Sequence, residues 1–231
     1  MFKTLNNIIN YFTKQTKYLA GDVLLFAGKS NLSKVIAFAT NSPFSHAGIL
    51  WDENIVFEAE IATGVTATSA LERVFNYEGE VWHLPLRRAT YSLFQKQKFQ
   101  AYLNSQKNRG GYDFQTLARL IIQKLKEKGI VVPAELEQIQ SISQETFALF
   151  LSKAWVSQNS LSLLSNQEIS LFTCSSLVAQ ALIEGGILPT SIRASDVTPM
   201  DLCNFFIYEK NYNKLKSKNS LPVTYNTIKL G

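Results

Sequence analysis

A cysteine and a histidine are the residues of this chain whose types and settings could do covalent chemistry. Cys174 lies in Leu171-Phe172-Thr173-Cys174-Ser175-Ser176-Leu177-Val178-Ala179-Gln180-Ala181-Leu182. Thr173 has the hydroxyl of a helix cap, Leu177, Val178, Ala181 and Leu182 repeat at helical spacing, and Gly185-Gly186 stops the run. The pattern predicts a helix with Cys174 in its first turn, where unpaired N–H groups and the helix dipole favour a thiolate. A thiolate attacks carbonyl carbon. To turn over it needs a base that carries the proton and a polar group that orients the base.

His46 fits the base. Ser45-His46-Ala47-Gly48-Ile49-Leu50-Trp51 reads as a strand, Asp52-Glu53-Asn54 as a turn, and Ile55-Val56-Phe57-Glu58-Ala59 as the returning strand. His46 and Glu58 are 12 residues apart, and the hairpin brings them side by side, so Glu58 can hold one ring nitrogen while the other faces Cys174. Glu60 shares that side by period-two alternation and is the reserve for the same role. Tyr112, after a glycine pair, and Ser45, beside the histidine, are candidates for the oxyanion or the substrate. The Cys174 backbone N–H is the stronger oxyanion donor. His83, in Val81-Trp82-His83-Leu84-Pro85, has no carboxylate at a matching position and reads as structural. Cys203, in an apolar setting without a base, reads as an inert core thiol.

The elements that must position these groups follow from the pattern. Ala20 to Gly28 predicts a turn and a strand, Ser33 to Thr40 a short helix ended by Asn41-Ser42-Pro43, and Gly64 to Ser69 and Val81 to Leu86 two more strands flanking a helix over Ala70 to Phe75. Tyr91 to Asn108 is helical, with Leu93, Phe94, Phe99, Tyr102 and Leu103 on one face. Residues 114–171 read as a helical insertion, in which Leu117, Leu120, Ile121 and Leu125 form one amphipathic set closed by Gly129, and Phe147, Phe150, Leu151 and Trp155 another. The fold class is α+β, a small antiparallel sheet or barrel packed on helices. An amphipathic helix over residues 1–20 precedes a domain spanning residues 21–207, and residues 208–231 form a basic tail.

Composition sets bounds. Hydrophobic residues make up 46% and charged residues 18%, which predicts a globular chain. The net charge of +5 is concentrated in the last segment, and no arginine-rich patch is interleaved with aromatics, so no nucleic-acid partner is expected. The basic tail and the first helix, with Phe2, Leu5, Ile8, Ile9 and Phe12 on one face, allow peripheral contact with a membrane. With 2 cysteines and 2 histidines there is no disulfide framework and no spaced metal-ligand set, so neither a metal nor a cofactor is expected. The sequence offers neither a signal peptide nor a spanning segment, and the expected location is the cytoplasm.

Taken together, Gly21-Asp22-Val23-Leu24-Leu25, Ser45-His46-Ala47-Gly48-Ile49, Val56-Phe57-Glu58-Ala59, Tyr112-Asp113 and Phe172-Thr173-Cys174-Ser175-Ser176-Leu177-Val178 resemble the permuted branch of the NlpC/P60 superfamily, the YiiX/YebB-like cysteine hydrolases. In that branch the order is histidine, polar residue, cysteine, as here. The resemblance covers Gly21 to about Leu202, apart from the helical insertion. It implies a papain-like fold with Cys174 as nucleophile, His46 as general base and acid, and Glu58 as orienting residue. It also implies that Ala194 to Leu202 packs beside the site. The implied activity is cleavage of an amide bond, in a peptide or an N-acyl amide, through a thioester. The same order is similar to that of lecithin:retinol acyltransferase-like proteins, which act on lipid acyl groups. Those usually carry a second histidine where this chain has Glu58. A binding module that kept the fold without turnover is the third alternative.

Overall fold

Around a central strand, β1 (Val23–Gly28), the chain lays down an open antiparallel sheet. The computed structural model describes residues 18–29, 31–61, 63–87, 91–108, 111–129, 171–216 and 227–229. The expected first helix, and the Phe147-to-Trp155 part of the insertion, lie outside the described residues. The other strands are β2 (His46–Leu50), β3 (Ile55–Glu60), β4 (Gly64–Ser69), β5 (Gly79–Leu84), β8 (Asn211–Lys216) and β9 (Thr227–Lys229). Their order is β4-β3-β2-β1-β5-β8-β9, so the sheet-or-barrel expectation resolves to an open sheet. Two short strands, β6 (Gly111–Tyr112) and β7 (Leu171–Phe172), pair in parallel as a separate ribbon.

The β2/β3 hairpin forms because Asp52 makes its turn. Asp52 Oδ1 accepts the N–H groups of Asn54 at 2.7 Å and Ile55 at 2.8 Å. Alternation then gives the sheet two apolar faces. Val23, Leu25, Ala47, Ile49, Phe57, Ala59, Trp82 and Leu84 join the larger core with the helices. Leu24, Phe26, Leu50, Val56, Val81 and Leu215 form a second cluster, closed by Ala70 and Val74 of helix α2 (Ala70–Asn76).

Helix α1 (Asn31–Ala39) connects β1 to the hairpin, and α3 (Leu93–Gln106), α4 (Phe114–Glu127), α5 (Cys174–Glu184) and α6 (Pro199–Asn204) follow in the chain. Helix α3 starts at a Ser92/Gln95 capping box. It buries Phe99 and Leu103, but Leu93 and Phe94 are exposed, contrary to the single face expected. They lie in the first turn, before the helix meets the core. Helix α4 buries Leu117, Ile121 and Leu125 together with Ala118 and Ile122. This first part of the expected insertion is integral to the core, not laid over it.

Two further expectations are corrected. The segment read as a basic tail from residue 208 adds β8 to the sheet against β5, burying Tyr212 and Leu215. Two of its lysines have partners in the molecule. Lys214 Nζ is 2.9 Å from Glu80 Oε1, and Lys216 Nζ donates to the carbonyls of Phe75 and Tyr77 at the end of α2, both at 2.6 Å. His83 does have a carboxylate. Because β1 and β5 are neighbours, with Leu24 opposite His83, the His83 Nε2–H reaches Asp22 Oδ2 at 2.8 Å, and both side chains are buried. Among the described residues no helix is long and apolar enough to cross a membrane.

Candidate active site

The cysteine is placed by a strand ending in a cap. β7 runs beside β6 with Tyr112 opposite Phe172, and Thr173 then turns the chain into α5. Thr173 Oγ1 accepts the Ser176 N–H at 3.2 Å, and Ser176 Oγ accepts the Thr173 N–H at 2.8 Å. Cys174 is thereby the first residue of the helix, and its own N–H has no acceptor within the helix. Ser175 is tied down separately, its hydroxyl donating to the Val197 carbonyl at 2.6 Å. This contact holds the Ala194-to-Leu202 stretch against the helix.

Helix α5 packs across β2 and β3, which sets Cys174 against His46, the first residue of β2. The His46 ring and the backbone N–H groups of Ala47 and Ser175 are the groups that act on the sulfur. Burial penalises the thiolate. The His46 charge, the hydrogen bond from its ring and the two backbone N–H groups outweigh that penalty and hold the Cys174 pKa below its ordinary value. For His46, burial opposes the charged form, but Cys174 and then Glu58 override it and push the pKa up to about 10. The two shifts run in opposite directions and both favour the ion pair, a thiolate facing an imidazolium. The ring is 17% exposed, so its edge reaches solvent.

Glu58 is the carboxylate that meets His46. Its Oε1 accepts from His46 Nε2 at 3.2 Å, leaving the other ring nitrogen for the sulfur, and the residue is 1% exposed. Burial raises the pKa of such a carboxyl, yet His46 and Arg73 hold it below the usual range. Gly48 lets Glu58 lie there. The two residues are opposite in the ladder, and a Cβ on Gly48 would come within 2.7 Å of Glu58 Cγ and of Val56 Cγ2. Glu60, the reserve, does not touch the ring. It lies farther out, where its Oε1 accepts from Arg73 Nη2 at 2.8 Å.

Tyr112 lies close enough to Cys174 to feel its charge. It is buried, and burial and then the neighbouring Cys174 charge push its hydroxyl pKa well above the ordinary value, so it stays a proton donor. Ser45 does not join the group. Its hydroxyl is buried between β1 and β2, accepting the Gly28 N–H at 3.3 Å and donating to the Phe26 carbonyl at 3.4 Å. Cys203 is buried with its thiol turned to the Pro199 carbonyl, and burial pushes its pKa up to about 12. Beside the first turns of α5 a cleft of about 380 Å³ is lined by Asp113, Thr116, Ser176, Gln180, Arg193 and Ser195 among others.

One site residue was not anticipated. Arg73, in α2, sets its Nε 2.5 Å from Glu58 Oε2 while its Nη2 bonds Glu60. No short-range signal marks it, because it meets Glu58 only once α2 packs on β3 and β4. One ligand atom each of His46, Glu58 and Glu60 lie within 4.8 Å of one another, and the Arg73 guanidinium bonds both of these carboxylates.

The fold and the site thus define an α+β protein whose antiparallel sheet carries a Cys–His–Glu cluster at the tip of a buried helix. No family model matches the chain, and no curated protein matches it. It is similar to the crystal structure of the metalloprotein YiiX from Escherichia coli O157:H7, at 22% identity over 48% of this chain and 67% of that one, with a TM-score of 0.39.

Proposed function

We propose that the chain is a cysteine hydrolase of the permuted NlpC/P60, YiiX/YebB-like type, cleaving an amide bond through a thioester acyl-enzyme. The observation that carries this reading is a buried free cysteine, its pKa held down by a neighbouring imidazole that is itself bonded to a buried carboxylate. In the first half-reaction the Cys174 sulfur attacks the carbonyl carbon and a C–S bond forms as the carbonyl electrons move to oxygen. The Cys174 N–H and the Tyr112 hydroxyl are the donors at hand for that oxygen. Collapse breaks the C–N bond, and the leaving nitrogen takes the proton of the His46 imidazolium. In the second half the neutral His46 removes a proton from water, hydroxide adds to the thioester, and the C–S bond breaks to return the thiolate. Glu58 keeps the ring oriented through both halves.

Alkylation tests the reading directly. Iodoacetamide at pH 7 should label Cys174 at least about tenfold faster than Cys203, and His46→Ala should remove most of that difference. Equal labelling of the two thiols would leave a binding module in its place. Mass spectrometry after exposure to peptides, N-acyl amides and phospholipids would then identify the acyl group carried on Cys174.

A further inference from the structure

We infer that Arg73 is a positioning residue of the site, fixing Glu58 as the ionised, correctly turned partner of His46. The inference rests on Cys174 and His46 being the reacting pair. Glu58 divides its two oxygens, Oε1 to His46 at 3.2 Å and Oε2 to Arg73 Nε at 2.5 Å. A carboxylate held on both oxygens cannot rotate away from the ring. Arg73 Nη2 takes Glu60 Oε1 at 2.8 Å, so one planar fork joins two carboxylates that alternation puts on the same side of β3. The guanidinium is itself held, 5.0 Å from the centroid of Phe26 and 5.1 Å from that of Tyr77. The Phe26 ring also lies 5.3 Å from the His46 ring, so one aromatic side chain braces both ends of the line.

From helix to strand the charges run Cys174 negative, His46 positive, Glu58 negative, Arg73 positive and Glu60 negative, with the Tyr77 and Tyr112 hydroxyls beside them. Without Arg73, Glu58 and Glu60 repel each other and the buried Glu58 keeps only His46 of its two countercharges. It then takes up a proton or swings outward, and His46 loses the partner that holds it charged and aimed. Losing a positive charge also raises the cost of the thiolate directly. Both effects move the Cys174 pKa upward.

The test is the pH dependence of Cys174 alkylation, with Cys203 as internal reference and thermal melts as a check of folding. Arg73→Gln should shift the acid limb upward by about one pH unit, about tenfold slower labelling below it. Glu60→Gln should leave the limb where it is. Combining Arg73→Gln with Glu60→Gln should recover part of the shift, because it relieves the repulsion, and a merely structural arginine would show no such recovery. Arg73→Lys keeps the charge without the fork, and it decides the matter if Arg73→Gln does not fold. Labelling at least about threefold slower below the limb supports the role. A folded Arg73 variant whose limb coincides with that of the parent protein overturns it. If the parent protein labels Cys174 no faster than Cys203, the failure belongs to the hydrolase reading instead.

Discussion

At the scale of residues the site is a problem in proton placement. Cys174 and His46 shift in opposite directions, the thiol below its ordinary 9.0 and the imidazole above 6.5 to about 10. The sign follows for each limb. Below the depressed thiol pKa both groups hold protons and the sulfur is unreactive. Between the two values the sulfur is a thiolate and the ring an imidazolium. Above about 10 the ring loses its proton while the thiolate remains. Alkylation, which needs only the thiolate, therefore rises through the acid limb and does not fall on the alkaline side. Turnover of an amide needs the imidazolium to protonate the leaving nitrogen, so it falls through the upper value. Measuring both rates on one protein checks the assignment, and parallel profiles would contradict it. Glu58→Gln removes one of the two charges that support the imidazolium without removing a hydrogen-bonding group. The alkaline limb of turnover should move down by about one unit, and a limb that stays at its parent value would remove Glu58 from the role.

At the scale of elements the hairpin and the cysteine helix were legible because their signals are local. Asp52 makes the turn within three residues, and Thr173 caps within three more. What was not legible depends on contacts between elements distant in the chain. The Asp22 partner of His83 is 61 residues away. The Arg73 partner of Glu58 sits on a different element. Among the described side chains of β8 only Tyr212 and Leu215 are buried, so its pattern reads as solvated, and its place comes from pairing with β5. That strand also matters to the site, because Lys216 closes the carbonyl end of the helix that carries Arg73. Gly48 gives the element-level prediction. A Cβ there meets the Cγ of Glu58, not its flexible end, and Val56 Cγ2 as well, both at 2.7 Å. Gly48→Ala should push the carboxylate off His46 and cost about 1–3 kcal/mol of stability through overpacking. Alkylation at pH 7 should slow by about tenfold. Unchanged labelling in a folded Gly48→Ala protein would mean that Glu58 does not need the space.

At the scale of the molecule the site stands where several pieces of chain converge, the β2/β3 hairpin, α2, the β6/β7 ribbon and α5, all referred to the central strand β1. The anchor of that strand is Asp22. Its Oδ2 accepts the Leu19 N–H at 2.9 Å and the His83 Nε2–H at 2.8 Å, while Oδ1 accepts the Leu86 N–H at 2.8 Å. One buried carboxylate thus fastens the entry to β1, the neighbouring β5 and the turn beyond it. The anchor and the active cluster resemble each other as buried His–carboxylate pairs, but they differ in surroundings. The Asp22 carboxylate is also bonded by the backbone N–H groups of Leu19 and Leu86, whereas Glu58 and His46 lead to Cys174. The consequence is a separation of effects. Asp22→Ala leaves two backbone N–H groups and an imidazole without their acceptor, which should cost about 3–5 kcal/mol. For a chain of this length the melting temperature should fall by roughly 6–20 °C. The alkylation profile of Cys174, taken well below that melting point, should keep its acid limb, because none of the charges around the sulfur has changed. A moved limb would mean that the two buried pairs are coupled through β1, and that stability and reactivity in this fold cannot be altered independently.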